Sequence, residues 1–363
     1  MLKEIPAISV VIPMYNAEKY IANCLNSLRV QTFQDFEVVV VDDCSTDNSV
    51  KVVESFREKF GGRLYLEKTK KNSGNGTLPR NIGLKFSRGE YIFFMDNDDA
   101  VTATALEELY NLAKNFNADV VHCEKYFNVP EDFLGTSAQI KQLKPYNYLT
   151  REKIFIEEPL IWDNNFEERV KFFAQRKLIW NIWVQLIRRD FLIKNSLKFV
   201  GAIADDMIFT TCELCCAEKY IIVPNVIYFY RQRQDSLIHK DFKIDKHLNV
   251  WIGMLKSGFD YLDNLLNDNE FFSQRPDLKY VLFGTFAQEM LNYLNGVYAQ
   301  FPAYALDELL RKELGDSALT TFIFSVMNVQ RLQIRQIQYQ FNRFVEQSNQ
   351  RIAQLENELK KRL

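Results

Sequence analysis

Three short polar runs carry the residues best able to do chemistry. Asp96-Asn97-Asp98-Asp99 follows the apolar run Tyr91–Met95, Asp42-Asp43-Cys44-Ser45 follows Phe36–Val41, and Pro13-Met14-Tyr15-Asn16 follows Ile8–Ile12. Carboxylates crowded like those of Asp96, Asp98 and Asp99 repel one another and raise each other's pKa unless a cation sits among them. Hard divalent ions such as Mg²⁺ or Mn²⁺ take oxygen ligands of this kind and share them with substrate phosphates. A solvated acidic turn with Asn97 at its tip is the competing reading of the same spacing. Tyr15 has a face on which a nucleobase could stack, and Asp43 could accept a hydrogen bond from a base N–H. An anionic diphosphate would need a cation beside these acidic loops.

The runs matter together only if the chain folds them to one place. Over the first 125 residues strand-like and helix-like patterns alternate. Strands are expected at Ile8–Ile12, Phe36–Val41, Leu64–Leu66, Tyr91–Met95 and Val120–Cys123, and helices at Ala17–Leu28, Asn48–Phe56, Leu78–Ser87 and Ala103–Asn115. Such alternation predicts an α/β fold with a mostly parallel sheet flanked by helices. Ligands of an open sheet of this kind bind beyond the carboxyl ends of its strands, where the three loops lie. A dehydrogenase would need a glycine-rich turn after the first strand. That turn holds Pro13 and Tyr15 and no glycine, and Gly74-Asn75-Gly76 lacks the third glycine.

The pattern weakens between Tyr126 and Arg176, which reads as an insertion or a segment over a site. Ile179–Lys194 reads as a helix, and Tyr220–Val223 and Val226–Tyr230 as strands. Beyond Asp241 strand patterns stop, and residues 247–330 read as several helices. Phe341, Val345, Ser348, Ile352, Leu355 and Leu359 alternate spacings of four and three, as a coiled-coil seam does. Self-association through this helix and a solvated amphipathic tail both fit. The expected division is 1–240 for the α/β domain, with halves 1–125 and 126–240, then 241–330 as a helical accessory region and 331–363 as the coiled-coil-like helix.

The 363 residues carry a net charge of −2, with 47% of them apolar. That balance supplies a sizeable core and shows no basic excess of the kind a nucleic-acid binder has. No apolar run approaches the roughly 20 residues of a membrane span, and no signal-type segment precedes Ile8. A cytoplasmic protein is expected, with peripheral contact at the inner face of the membrane left open. The six cysteines show no framework spacing, so reduced thiols are expected. Cys212 and Cys215 form an isolated C-x-x-C, read as buried on an apolar helix face.

The blocks Ile8–Asn16, Gln31-Thr32-Phe33, Val41–Asp47, Asn72-Ser73-Gly74, Pro79–Leu84, Arg88–Tyr91 and Met95–Asp99 occur in an order and spacing that resemble family 2 glycosyltransferases. The match covers about residues 7–125, with weaker similarity to about 240. The resemblance implies a GT-A (Rossmann-like) fold and an inverting transfer of a sugar from a nucleotide-diphosphate donor, by default a UDP-sugar, to a saccharide or lipid-linked saccharide acceptor. It places Pro13, Tyr15, Asn16 and Asp43 around the base and Arg80 near the base or diphosphate. It makes Asp96, Asn97 and Asp98 the D-x-D element, with Asp98 as the direct ligand of Mn²⁺ or Mg²⁺ and Asp96 beside it.

Asp205-Asp206 matches the family's acidic pair, usually Glu-Asp, with Asp206 at the position of the general base. A helix N-cap is the alternative for Asp206. The segment around Trp183 and Leu186–Leu192 also resembles the family, although Val184 stands where an Asn is frequent. Tyr230-Arg231-Gln232-Arg233 resembles the end of the catalytic domain. Arg231 and Arg233 would face the leaving diphosphate or brace the acidic loops, and His239 is a further candidate metal ligand. A sugar-phosphate nucleotidyltransferase and a non-catalytic scaffold assembling through the C-terminal helices remain as competing classes. Surface-polysaccharide or glycoconjugate assembly is the expected setting.

Overall fold

The structure, a computed structural model, describes residues 5–146, 156–201, 205–233 and 257–298, isolated positions between 308 and 337, and 339–352. The chain divides into two compact units, Met1–Thr285 and Phe286–Leu363.

In the first unit β1 (Ile8–Met14), β2 (Phe36–Asp42), β3 (Leu64–Lys68) and β4 (Tyr91–Phe94) run parallel. Every residue of β1, β2 and β4 is buried. Strands covered on both faces are runs of β-branched and aromatic residues rather than alternating ones. α1 (Ile21–Arg29) shows why one layer packs: Ile21, Cys24, Leu25 and Leu28 form one buried stripe. On α3 (Thr77–Phe86) the close approach to β1 requires Gly83, where a Cβ would stand 2.3 Å from Val11 Cγ1. This contact fixes the height at which the next turn of α3 presents Arg80.

The sheet continues through β10 (Gln185–Arg188), β6 (Val120–Cys123), β11 (Lys219–Val223) and β9 (Leu160–Asp163), in the order β3-β2-β1-β4-β10-β6-β11-β9. It is mostly parallel; β10 runs antiparallel to both β4 and β6, and β9 antiparallel to β11.

Here the helix expected over Ile179–Lys194 is corrected. The segment is a 3₁₀ turn, Ile182–Val184, then strand β10, then the short helix α7 (Arg189–Lys194). The Gln185-Leu186-Ile187 backbone pairs on both sides in the middle of the sheet. A continuous apolar run has no period with which to distinguish buried strand from helix.

The weak pattern of 126–176 also resolves into structure. β7 (Tyr126–Val129) and β8 (Pro145–Tyr146) join β12 (Tyr228–Arg231) and β5 (Ala100–Val101) in a second sheet ordered β5-β12-β7-β8. The described part of the segment also holds the short helix α5 (Ser137–Ile140), strand β9 and the helix α6 (Phe166–Ala174). α6 packs beside α8 (Asp205–Cys216), where the buried Arg169 donates to the Leu214 and Ala217 carbonyls at 3.1 and 2.6 Å. The helix Phe259–Asp268 belongs to the same unit, with Leu262 and Leu266 buried.

In the second unit, the stretch 339–352 is helical and exposes Phe341, Val345 and Ile352. Leu355 and Leu359 lie outside the described residues. The cysteines among those described are all free, and no described helix is long and apolar enough to cross a membrane.

Candidate active site

The loops after β1, β2 and β4 converge at the carboxyl edge of the parallel strands. The Asp43 N–H donates to the Met14 carbonyl at 2.7 Å, and Asn97 Nδ2 donates to the Pro13 carbonyl at 2.8 Å. Asn16 Oδ1 accepts from the Thr46 N–H at 2.8 Å, and Ser45 Oγ accepts from the Asn16 N–H at 3.0 Å. Asn16 and Cys44 both have positive φ, 46° and 63°. That conformation is easy for Asn and costly for Cys, and such strain collects at functional loops. The Cys44 turn is held from the neighbouring chain, its thiol lying 3.3 Å from the Thr69 carbonyl.

Tyr15 stands 47% exposed on this edge, its ring open to a planar partner. Asp43 beside it is buried; its Oδ1 accepts from Thr69 Oγ1 at 2.8 Å and its Oδ2 from the Ser73 N–H at 2.9 Å and Ser73 Oγ at 2.8 Å. These bonds fix the carboxylate's direction.

Arg80 is the hub. Its Nη2 lies 3.1 Å from Asp96 Oδ1, and its Nη1 lies 3.3 Å from both Asp205 Oδ2 and Asp206 Oδ1. Burial works against the guanidinium charge, but Asp206, Asp205 and Asp96 together hold its pKa above the ordinary arginine range. One side chain thus ties the loop after β4 to the first turn of α8, which lies more than a hundred residues away in the chain. Asp205 is fixed further by Thr77 Oγ1, which donates to its Oδ2 at 2.8 Å.

The acidic loop itself is electrostatically loaded. Burial pushes Asp98 up to about 6; Arg233 pulls it down and Asp96 adds to the rise. Asp99 is raised well above the usual carboxylate range by burial, then by Asp98 and Asp96. Asp206 is pushed up to about 7 by burial, with Arg80 opposing and Asp205 and Asp96 reinforcing. A carboxyl near neutrality is matched to proton transfer at working pH.

The two arginines of β12 and its extension differ. Arg231 is buried and its donors are taken: Nε by the Asp98 carbonyl at 2.6 Å, Nη1 by the Glu131 and Phe133 carbonyls at 2.6 and 3.0 Å, and Nη2 by Asn23 Oδ1 at 2.8 Å. Its N–H also donates to Asp99 Oδ1 at 2.7 Å. Of the two roles open to it, the geometry is that of a brace. Arg233 instead places Nε 2.8 Å from Asp98 Oδ2, at the carboxylate a cation would use. His239 lies outside the described residues.

The contacts of some contributors were not legible. The Asp96 N–H donates to the buried Tyr228 hydroxyl at 3.1 Å. Trp183 stacks on Tyr228 and Tyr230 at centroid distances of 4.4 and 5.2 Å. These rings come from β12 and the 3₁₀ turn; Trp183 and Tyr230 stood in segments that resemble the family, but nothing in the spacing placed them together behind Asp96.

The family model for glycosyl transferase family 2 matches residues 9–176. Poly(ribitol-phosphate) beta-N-acetylglucosaminyltransferase TarP of Staphylococcus aureus is 30% identical over 247 residues, 67% of this chain and 66% of the relative. The uncharacterized glycosyltransferase EpsJ of Bacillus subtilis is 28% identical over 248 residues, 67% of each chain. The chain therefore spans about two thirds of the length of these curated relatives. In fold it is similar to S. aureus TarS 1-349, solved in complex with UDP-GlcNAc, at a TM-score of 0.61 and 22% identity, over 84% of this chain and 81% of that one. With the sheet order, the converging loops and these similarities in place, the chain belongs to glycosyltransferase family 2 and has the GT-A fold.

Proposed function

We propose that this chain is an inverting glycosyltransferase that moves a sugar from a UDP-sugar to an acceptor hydroxyl during assembly of a bacterial surface polymer or glycoconjugate. The observation that carries the reading is the Arg80 clamp. It holds Asp96 of the D-x-D loop and Asp206 of α8 on one guanidinium, 3.1 and 3.3 Å away. A donor-side acid and a neutral-range base thus share one site. The donor and the polymer class are supported by the relatives. TarP is named for transfer of N-acetylglucosamine onto poly(ribitol-phosphate), and TarS was solved with UDP-GlcNAc.

In this account the uracil stacks on Tyr15 and donates its N–H to Asp43, with Pro13 and Asn16 shaping the turn beneath it. Asp206 takes the proton of the acceptor hydroxyl. The acceptor oxygen bonds to the anomeric carbon on the face opposite the donor phosphate. The bond to that phosphate breaks, and the electron pair leaves with UDP. Attack from the opposite face inverts the anomeric centre.

The donor set of the acidic loop fits a hard divalent ion. It is all oxygen, and Mg²⁺-type ions are held by one or two carboxylates with substrate phosphates completing the shell. Asp98 and Asp96 would hold Mn²⁺ or Mg²⁺, which when bound would supply positive charge for the leaving diphosphate. Among the described residues no group of three metal-ligating side chains converges, and the further candidate His239 lies outside them. Arg233, paired with Asp98 at 2.8 Å, would face the leaving diphosphate from the same loop.

Thermal stabilisation by nucleotides, with and without Mn²⁺, tests the donor assignment. UDP with Mn²⁺ should stabilise the wild type, and Asp98→Ala should lose the metal-dependent part. Metal dependence that survives the substitution would remove Asp98 as ligand. Release of UDP rather than pyrophosphate separates this activity from a nucleotidyltransferase. We also propose that the chain works in the cytoplasm, where nucleotide sugars are supplied, and that it self-associates through Phe341, Val345 and Ile352. Sedimentation of the full chain tests the last point, and a monomer would exclude it.

A further inference from the structure

Behind Asp206 the protein buries polar atoms that the transfer reaction does not use. Asp206, Thr210 and Glu213 lie at positions i, i+4 and i+7 of α8 and so share one stripe of the helix. The sheet face beneath is polar at matching places. Gln185 of β10 and His122 of β6 are directly opposed cross-strand partners. Tyr220 of β11 joins them, its hydroxyl 2.6 Å from His122 Nδ1. Gln185 Nε2 donates to Thr210 Oγ1 at 3.0 Å, and that hydroxyl donates to the Trp180 carbonyl at 3.1 Å.

The layer does not balance. Glu213 and His122 are fully buried. Both carboxyl oxygens of Glu213, His122 Nε2, Gln185 Oε1 and Asn181 Oδ1 are buried without a hydrogen-bond partner, and Asp206 Oδ1 has only the Arg80 guanidinium, 3.3 Å away. They therefore do not bond to one another. Two donors can be counted here: a carboxyl proton on Glu213, and His122 Nε2–H if Tyr220 donates to Nδ1. Against them stand three unpaired acceptors, the other Glu213 oxygen, Gln185 Oε1 and Asn181 Oδ1. Buried polar atoms of native proteins are nearly all satisfied, and buried water is the usual agent, bringing two donors per molecule.

We propose that a file of buried water molecules lies between α8 and the sheet, joining His122 and Glu213 to Asp206, and that Glu213 is a positioning residue for the Asp206 carboxylate. The role assigned to Glu213 rests on Asp206 being the base. The hydration of the layer does not. Burial holds Glu213 well above the carboxylate range and Asp206 adds to this; burial alone lowers His122 to about 3. Burial thus disfavours charge on both groups, and a polar file solvates the Asp206 anion from behind without adding charge.

The charged and titratable groups around this layer are few. Asp206 faces Arg80 from α3, Asp96 from the loop after β4, and Asp205 and Glu213 on its own helix. Glu213 has Cys212 and Cys216 beside it on α8 and Tyr220 across from it. Arg169 of α6 packs 6.0 Å from the Tyr220 ring, and Tyr261 approaches Cys212 and Cys216 from the helix Phe259–Asp268.

The test is the titration of the Asp206 side-chain carboxyl, read by ¹³C NMR in the full chain and assigned by its absence in Asp206→Asn. Glu213→Gln keeps shape, polarity and neutrality, so the midpoint should stay within about 0.3 unit of wild type. Glu213→Leu removes the polar partners and dries the layer, so the midpoint should rise by about one unit. The acid limb of kcat/KM should move with it. A Leu variant that titrates like wild type would overturn the proposal. So would a Gln variant whose midpoint falls, since that would mean Glu213 had carried charge. If Glu213→Leu does not fold, high-resolution crystals of the wild type decide together with the Gln variant. Ordered water bridging Glu213 and His122 supports the proposal, and a dry layer overturns it. Turnover retained by Asp206→Asn would instead sink the base assignment while leaving the hydration result standing.

Discussion

Replacing Arg80 perturbs the proposed chemistry most sharply, because three carboxylates depend on its guanidinium. At 3.3 Å from Asp206, an opposite charge is worth about 5 kcal/mol at an effective dielectric near 20, or between about three and four pH units. The Asp206 side chain is 18% exposed, and Asp96 and Asp205 share the same cation. The realised effect should therefore be smaller, about 1–3 units. Arg80→Met removes this attraction and leaves the repulsion from Asp205 and Asp96, so the Asp206 pKa rises from about 7 to roughly 8–10. A base must be ionised to act, so the loss is greatest at low pH. At pH 7 the ionised fraction falls from about one half to between about one tenth and one thousandth. kcat/KM should fall in proportion and climb with pH, reaching between about one tenth and nine tenths of its plateau at pH 9. Arg80→Lys keeps one charge but cannot reach all three carboxylates, and should give an intermediate shift. The assay is UDP release against pH for the three proteins. An acid limb at the same pH in wild type and Arg80→Met, with only the plateau lowered, would refute the argument that Arg80 sets the Asp206 ionisation.

Two further outcomes follow from the acidic loop. Asp98, at about 6 folded against an ordinary 3.8, binds its proton more tightly in the folded state, so its contribution to stability is present at low pH and lost as pH rises through about 4 to 6. Metal-free Asp98→Asn should therefore gain on wild type across that window, by up to about 3 kcal/mol, in urea midpoints measured from pH 4 to 8; a difference that shrinks with pH would contradict the raised value. Arg231→Met leaves the Asp98, Glu131 and Phe133 carbonyls without their donor and should cost about 3 kcal/mol or more, seen as a melting point lower by several degrees. Unchanged melting with donor binding abolished would make Arg231 a diphosphate ligand instead of a brace.

What the sequence disclosed depended on the kind of signal. The strands β1, β2 and β4 and the loops after them were legible because β-branched and aromatic runs end in abrupt polar turns. Position beyond the strand ends then follows from the architecture alone. That Arg80 would join Asp96 to Asp206 was not legible, since the three side chains are brought together by α3 packing on β1 through Gly83 and by the docking of α8. Strand β10 was misread because its Gln185-Leu186-Ile187 is buried on both sides and has no alternation. Of the second sheet only β12 was expected, as Val226–Tyr230; β5, β7 and β8 have two to four residues each and pair only after the chain has returned through β12. The polar layer under α8 was invisible for a different reason. Thr210 and Glu213 look like an ordinary solvated face until Gln185, His122 and Tyr220 are found opposite them.

The central claim is that one carboxyl, brought to the donor loops from the far half of the chain, removes the acceptor proton. Asp206→Asn measures it most directly, with donor affinity and turnover determined on the same preparation. The account predicts UDP-sugar affinity within about threefold of wild type, because the base is not a donor ligand, and transfer reduced at least a hundredfold. Turnover close to wild type would contradict it, and so would a loss of transfer fully explained by lost donor binding.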